Sequence, residues 1–383
     1  MTLEQTKSES RAVIFNKLAE VIAVGRHDVS TFHPQESWVE FDANEIWESQ
    51  LSAAKSALEI ANLEGENIAA IGISSQRETI ILWDAKTGEP IYYAIGASDT
   101  RCGHSVPASK IKWILDHVPS ARDKALAGEL RFGTVDTWLL WKLTKGEVHL
   151  TDTSNSSRTG LCNVVKEEWN AHLLERFDIP ASLMPDIRYS SNIYGTCAAE
   201  FFGAEIPICS LVGIQNATFF GQTCWDIGKL IGILDKECNI IVHTGVEPIF
   251  SRHGLCTTVS YGISGRPKYA LEGETITGVT IDENLNADQC TNIAKQVHEI
   301  LNAMEADLGV KPEVLNISGA LREHDALLQE IADAIGIPVI RPVCKEISAL
   351  GAAYMAGVCV GYWTGRDDII PNWKIEHSFE PRS

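Results

Sequence analysis

Ile68-Ala69-Ala70-Ile71-Gly72-Ile73-Ser74-Ser75-Gln76-Arg77-Glu78-Thr79 sets an apolar run directly against a polar one. Ile68 to Ile73 reads as a buried strand, and Arg77 and Glu78 stand just beyond its end. Upstream, Asp42 and Glu45 have the spacing of a capping box. The helix it opens carries apolar residues at Trp47, Leu51, Ala54, Leu58 and Ala61. Arg11 to Phe15 and Val21 to Val24 read as strands, and Phe132 to Leu143 as a helix with Trp138 and Trp141. Short β-branched runs that alternate with amphipathic helical patterns argue for α/β units.

A second cycle starts near Ile208. Cys209 to Val212 is a short strand and Ala217 to Cys224 a helix, while Leu230 to Leu234 and Asn239 to His243 form a hairpin. Ile293, Val297, Ile300, Leu301, Met304 and Leu308 share one helical face. A strand at Val314 to Ile317, a helix at Asp325 to Ile335, a strand near Val339 and a small-residue helix at Ala349 to Val360 complete the cycle. Glu205 to Pro207 is the natural boundary, which divides the chain into residues 1–206 and 207–383.

A chain of 383 residues can bury two cores. The net charge of −19, from 32 basic and 51 acidic residues, repels phosphate backbones and excludes nucleic acid as a partner. The ten cysteines stand singly with no C-x-x-C, the pattern of reduced thiols rather than a zinc site. The polar start, Met1 to Ser10, lacks the apolar core of a signal peptide, and no run is long enough to span a bilayer. These features give a cytoplasmic expectation.

Longer strings carry a resemblance. SWVEFD (37–42), IGISSQRET (71–79), KIKWILDH (110–117), FGTVDTW (132–138), TDTSNSSRT (151–159), YALEG (269–273) and ALGAAYMAG (349–357) are similar to segments of the glycerol-kinase branch of the FGGY carbohydrate-kinase family. The resemblance implies two actin-like, ribonuclease-H-like α/β domains around a cleft, each here missing part of its sheet. It also implies ATP-dependent phosphorylation of glycerol, with Mg-ATP in the cleft. Arg77 and Glu78 match the pair that bonds the polyol hydroxyls, and Gln215 a further substrate contact. Ser8, Arg11, Gly319 and Ala320 fall at nucleotide-binding positions. No metal ligand is assigned.

Several positions depart from the family pattern. Ile214, in Gly213-Ile214-Gln215-Asn216, stands where the family has the aspartate that takes the hydroxyl proton, and an aliphatic group cannot do so. In the first phosphate hairpin Thr6 replaces a glycine, Glu9 adds negative charge, and the preceding strand is expected to be absent, leaving a frayed polar terminus. Glu4 stands at that hairpin's carboxylate position. In the second, Asp235, Lys236 and Glu237 replace Gly-Thr-Gly, where glycines would let backbone N–H groups crowd an anion. Ala97 and Asn239 replace two aromatic wall residues, Val279 and Glu283 replace Gly and Gln at ATP contacts, and His324 stands for an Asn. Asp136 and Asp152 match structural positions.

The sequence therefore describes a glycerol-kinase-like protein whose family reaction is impaired or lost. The alternative is a non-catalytic pseudoenzyme that binds or regulates an intact paralogous kinase, or pairs with itself. Calorimetric titration of purified protein with glycerol and with Mg-ATP, run separately, is expected to give heat for glycerol alone. Tight Mg-ATP binding would overturn the reading of both hairpins.

Overall fold

Thr2–Gln5 (β1) is buried along its length in the middle of a sheet. The computed structural model describes residues 1–103, 106–235, 238–263, 265–275 and 285–382. β1 pairs antiparallel with Glu9–Phe15 (β2), which pairs with Val21–Asp28 (β3). On its other side β1 runs parallel to Ile71–Ser75 (β4). Ser191–Cys197 (β5) and Ile206–Gly213 (β6) complete the order β5-β6-β4-β1-β2-β3. The expected frayed terminus is thus corrected: the part of the sheet thought missing is present. Leu3 and the apolar residues of β4 hold it in the core, and the polar side chains of β1 find partners inside.

The second sheet repeats this plan. Leu230–Leu234 (β7), Cys238–Gly245 (β8), Cys256–Ile263 (β9) and Arg266–Glu274 (β10) give antiparallel pairs β7-β8, β8-β10 and β10-β9. Leu315–Ser318 (β11) and Val339–Pro342 (β12) then add in parallel beyond β7, with Ile375–Phe379 (β13) antiparallel at the edge. The first sheet joins three antiparallel strands to two parallel ones and the second joins four to two, each with an antiparallel edge strand beyond, and the parallel strands follow helical crossovers.

Local sequence explains the elements. Ala43–Ala61 (α1) is capped by Asp42, which accepts from Asn44 N at 2.8 Å. The expected capping box does not form, because Glu45 Oε1 accepts from the Ser30 backbone N–H and hydroxyl instead. The family string FGTVDTW splits into a strand, Leu130–Thr134, and a helix, Val135–Leu143. The strand pairs with Ile80–Asp84, and this ladder overrides the apparent helical period before Val135.

Ile206–Gly213, read from sequence as the opening of the second half, belongs to the first sheet as a neighbour of β4. Pro207 is tolerated because it sits at the second residue of its strand, near the sheet margin. The passage to the second sheet is the helix Ile214–Gly221 (α2). Ala287–Leu308 (α3) and Asp325–Ile335 (α4) pack on the second sheet, and Ile347–Cys359 (α5) returns to the first. A Cβ on Gly351 would fall on the carbonyl oxygen of Ala217 in α2, and one on Gly221 would fall on that of Ile347. A Cβ on Gly72 of β4 would meet Ala352 O at 2.6 Å.

Overpacking of a fixed backbone contact costs about 1–3 kcal/mol and sometimes more. Gly351→Ala is therefore expected to lower stability in urea unfolding by at least ~2 kcal/mol, whereas Gly309→Ala, at an open helix end, tests only backbone strain and should cost about 1 kcal/mol.

Candidate active site

Three neighbouring parallel strands, β1, β4 and β6, end together at Gln5, Ser75 and Gly213, the edge at which sheets of this kind bind ligands. Gln76 continues the line, its N–H donating to Gln5 O at 2.8 Å. Arg77 is buried, and Glu78 turns the chain with φ of 69°, a left-handed conformation uncommon for a residue with a side chain. The buried Lys110 holds this turn from below. Its ammonium donates to Gly96 O at 2.7 Å, Ala97 O at 2.9 Å and Glu78 O at 3.4 Å. Burial lowers its pKa to about 8, although Glu78 and Asp99 oppose the shift.

Charges from both sheets meet at Arg77. Its Nη2 lies 2.5 Å from Oε1 of Glu272 on β10, and its Nη1 lies 3.1 Å from Oε2. Arg158, from the loop after the short helix Thr153–Ser156, stands 3.7 Å from Glu272 and donates to Glu78 Oε1 from Nε at 2.8 Å. Its Nη1 also donates to Cys256 Sγ at 2.6 Å. Burial pushes the Glu272 pKa up, but Arg77 and Arg158 outweigh it and hold the carboxyl at about 2.

Gly213 leads into α2, and its N–H donates to Ser154 Oγ at 2.9 Å. A side chain at Gly213 would collide with Arg77 Cδ at 2.5 Å, so glycine lets the guanidinium lie across the start of α2. Ile214 is the first residue of α2 and half-buried. Gln215 follows, its Oε1 buried without a partner among the described residues. Asn216 accepts from Arg77 at 3.2 Å and donates to Val259 O and Ser260 O at 2.7 and 2.9 Å, tying α2 to β9. Asn216, Arg158 and Glu272 were not singled out from sequence as site residues. Arg158 and Glu272 lie inside the strings TDTSNSSRT and YALEG, which were noted only as family marks.

The residues expected from sequence at the nucleotide side make contacts within the protein. Arg11 pairs with the buried Glu4 and, at 2.8 Å, with Glu346. Ser348 donates to the other Glu4 oxygen at 2.7 Å. Ser8 is exposed in the turn between β1 and β2, where its N–H bonds Thr6 Oγ1. Gly319, with φ of 93°, lies face-on to the Leu234 peptide, and Ala320 N–H donates to Asp235 at 2.7 Å. His324 caps α4, accepting from Leu327 N at 3.1 Å. Asn239 lies in β8, and Ala97 N–H donates to Thr79. Asp136 accepts from Thr134 and Thr151, and Asp152 caps the helix Thr153–Ser156 and accepts from Ser190. Both are fully buried fastening points. Lys236, Glu237, Val279 and Glu283 lie outside the described residues.

The profile of the FGGY family of carbohydrate kinases, N-terminal domain, matches residues 1–106 and 102–221, and that of the C-terminal domain matches 274–360. The chain belongs to the FGGY family of carbohydrate kinases. It is 36% identical to a glycerol kinase of Petrotoga mobilis over 466 aligned positions, covering 100% of the chain and 94% of that relative. A glycerol kinase of Agathobacter rectalis is 37% identical over 465 positions, with 100% and 93% covered. These alignments exceed the 383 residues of the chain, so this FGGY member is shorter through internal gaps. The solved glycerol kinase of Plasmodium falciparum with ADP superposes with a TM-score of 0.91 at 22% identity, covering 100% of this chain and 94% of that one. A xylulose kinase of Lactobacillus acidophilus superposes at 0.84 with 13% identity, covering 100% and 94%. The two-domain actin-like fold follows.

Two carboxyls in this FGGY protein titrate in opposite senses. Glu272 is held at about 2, below its ordinary 4.5, so its stabilisation is complete above pH 4.5 and is lost as pH falls toward 2. Burial, then Asp152, raise Asp136 from 3.8 to about 7, so folding loses stability as pH rises between those values. Denaturation measured across pH should show Glu272→Gln flattening the acid limb and Asp136→Asn flattening the fall from about pH 4 to 7.

Proposed function

We propose that this FGGY protein recognises a small polyol, glycerol by kinship, and transfers phosphate from ATP slowly or not at all. Arg77 offers guanidinium donors, Glu78 carboxylate acceptors and Gln215 an amide that does both, a set suited to hydroxyl groups. The observation that carries the loss of transfer is Ile214 at the start of α2, close to Arg77, while Glu78 and Glu272, the carboxylates described beside Arg77, are both held by arginines. Phosphoryl transfer to an alcohol needs a group to take the hydroxyl proton. Glu78 is held by Arg158, and Glu272 by Arg77 and Arg158. A carboxyl held at about 2 is a poor base at neutral pH, where a useful base titrates near the working pH.

The residues at the nucleotide side do not fit a magnesium triphosphate. Arg11 is neutralised by Glu4 and Glu346, and the Asp235 carboxylate already occupies the Ala320 N–H. Incoming phosphate would meet carboxylates in place of open donors, and these cost it charge repulsion. No step is derived through ATP. A cytoplasmic setting accords with the described helices, none of which is long and apolar enough to cross a membrane. The same loss of base and phosphate donors supports the second reading, a non-catalytic partner of an intact glycerol kinase.

General-base catalysis contributes roughly 10²–10⁴-fold. In a coupled assay for sn-glycerol 3-phosphate, the purified protein is expected to run at background. Ile214→Asp should raise the rate by no more than that factor, since the phosphate side stays blocked. Brisk turnover by the unmodified protein, abolished in Arg77→Ala, would sink the proposal.

A further inference from the structure

Cys209 breaks the regular pairing of β6. Ile208 pairs with Ile71 of β4 and Ser210 with Gly72, so Cys209 has no partner of its own in β4. A bulge of this kind bends the strand and re-aims a side chain. Ile206, Ile208 and Leu211 stay in the core that α1 covers, whereas Cys209 sits in a separate buried cluster with Ala70 and Ala356. Cys359, the last residue of α5, packs against that cluster three residues beyond Ala356, and the two cysteine side chains interact directly. Both thiols are free, Cys209 fully buried and Cys359 half-buried. A cavity of about 220 Å³ borders the same place, lined by Ala70 and Ala356 and reaching exposed positions at Ile22, Asn67 and Ala69. It gives a small oxidant a route to the pair.

We propose that Cys209 and Cys359 are an oxidative modification site, where a hydroperoxide makes a disulfide that clamps the end of α5 to β6. The site is independent of the polyol proposed above. Burial, then Cys359, push the Cys209 thiol up to about 12, so it is protonated at neutral pH and the first attack falls to Cys359. With hydrogen peroxide, the Cys359 sulfur takes one oxygen as the O–O bond breaks, which gives a sulfenic acid and one water. The Cys209 sulfur then attacks the Cys359 sulfur. The S–O bond breaks, and the hydroxyl leaves with the Cys209 proton as a second water. The two thiols lose two electrons in all, and the peroxide gains them. Cys359 ends its helix, where the last turn frays and the backbone can adjust to the new bond. The loop that the bond closes contains α2, strands β7 to β12, α3 and α4, and closing so long a loop restricts the unfolded chain. In a reducing compartment a bond of this kind is transient and reports the redox state.

Hydrogen peroxide added to the native, fully reduced full chain tests this, followed by acid quench, alkylation in denaturant and peptide mapping without reductant. A peptide pair joined through Cys209 and Cys359 is expected, and dithiothreitol should release it. The oxidised protein should unfold at a midpoint roughly 5 °C or more above the reduced one. Cys359→Ser should lose both the joined pair and that shift. Mapping of the unmodified chain needs no variant and stands if Cys359→Ser misfolds. Recovery of both cysteines alkylated, or of Cys359 carried on to sulfinic acid with no bond to Cys209, overturns the site. A bond that leaves the unfolding midpoint unchanged or lower overturns the clamp.

Discussion

Glycine packing at the join of the two sheets is the constraint on which the rest of the molecule depends. α5 lies on β4 at Gly72 and crosses α2 at Gly221 and Gly351, with backbone against backbone at each contact. Side chains at these points would hold the helices apart, and close-packed interiors transmit such shifts rather than absorb them. Because α2 leaves the first sheet and α5 returns to it from the second, this one crossing fixes how the sheets face each other. Glu272 can then reach Arg77, which is 195 residues away in the chain.

The charged cleft is tolerable only because it is self-neutralising. A buried carboxylate or guanidinium alone costs several kcal/mol, and removing one member of a buried pair is destabilising for the same reason. Here Glu272 has two guanidiniums, Arg11 has Glu4 and Glu346, and the Asp235 carboxylate has a backbone donor. These polar groups serve one another. That arrangement leaves few of these charges uncompensated inside the fold.

Each sheet carries a run of antiparallel strands, three in the first and four in the second, followed by two parallel ones, and the first core is continuous from β1 through α1 and the helix Val135–Leu143. Thr6, Ile214 and Asp235 each stand directly after the end of a strand, where a side chain can change while the strand stays in place. None of the three belongs to a buried core cluster.

Local pattern was enough for much of the secondary structure. Helix α4 spans Asp325–Ile335 as its apolar spacing requires, the hairpin of β7 and β8 follows its two apolar runs, and the family strings marked Arg77 and Glu78. Periodicity could not show that Thr2–Gln5, polar as it is, forms the buried centre of a sheet. Nor could it show that Ile206–Gly213 pairs backward with β4, because strand partners are chosen by contacts distant in sequence. That Ile214 cannot accept a proton is legible from its identity, since side-chain chemistry is a property of the residue. Tertiary structure decided that Glu78 is held by Arg158, and Glu272 by Arg77 and Arg158, because charge pairing depends on which distant groups the fold brings within a few ångströms.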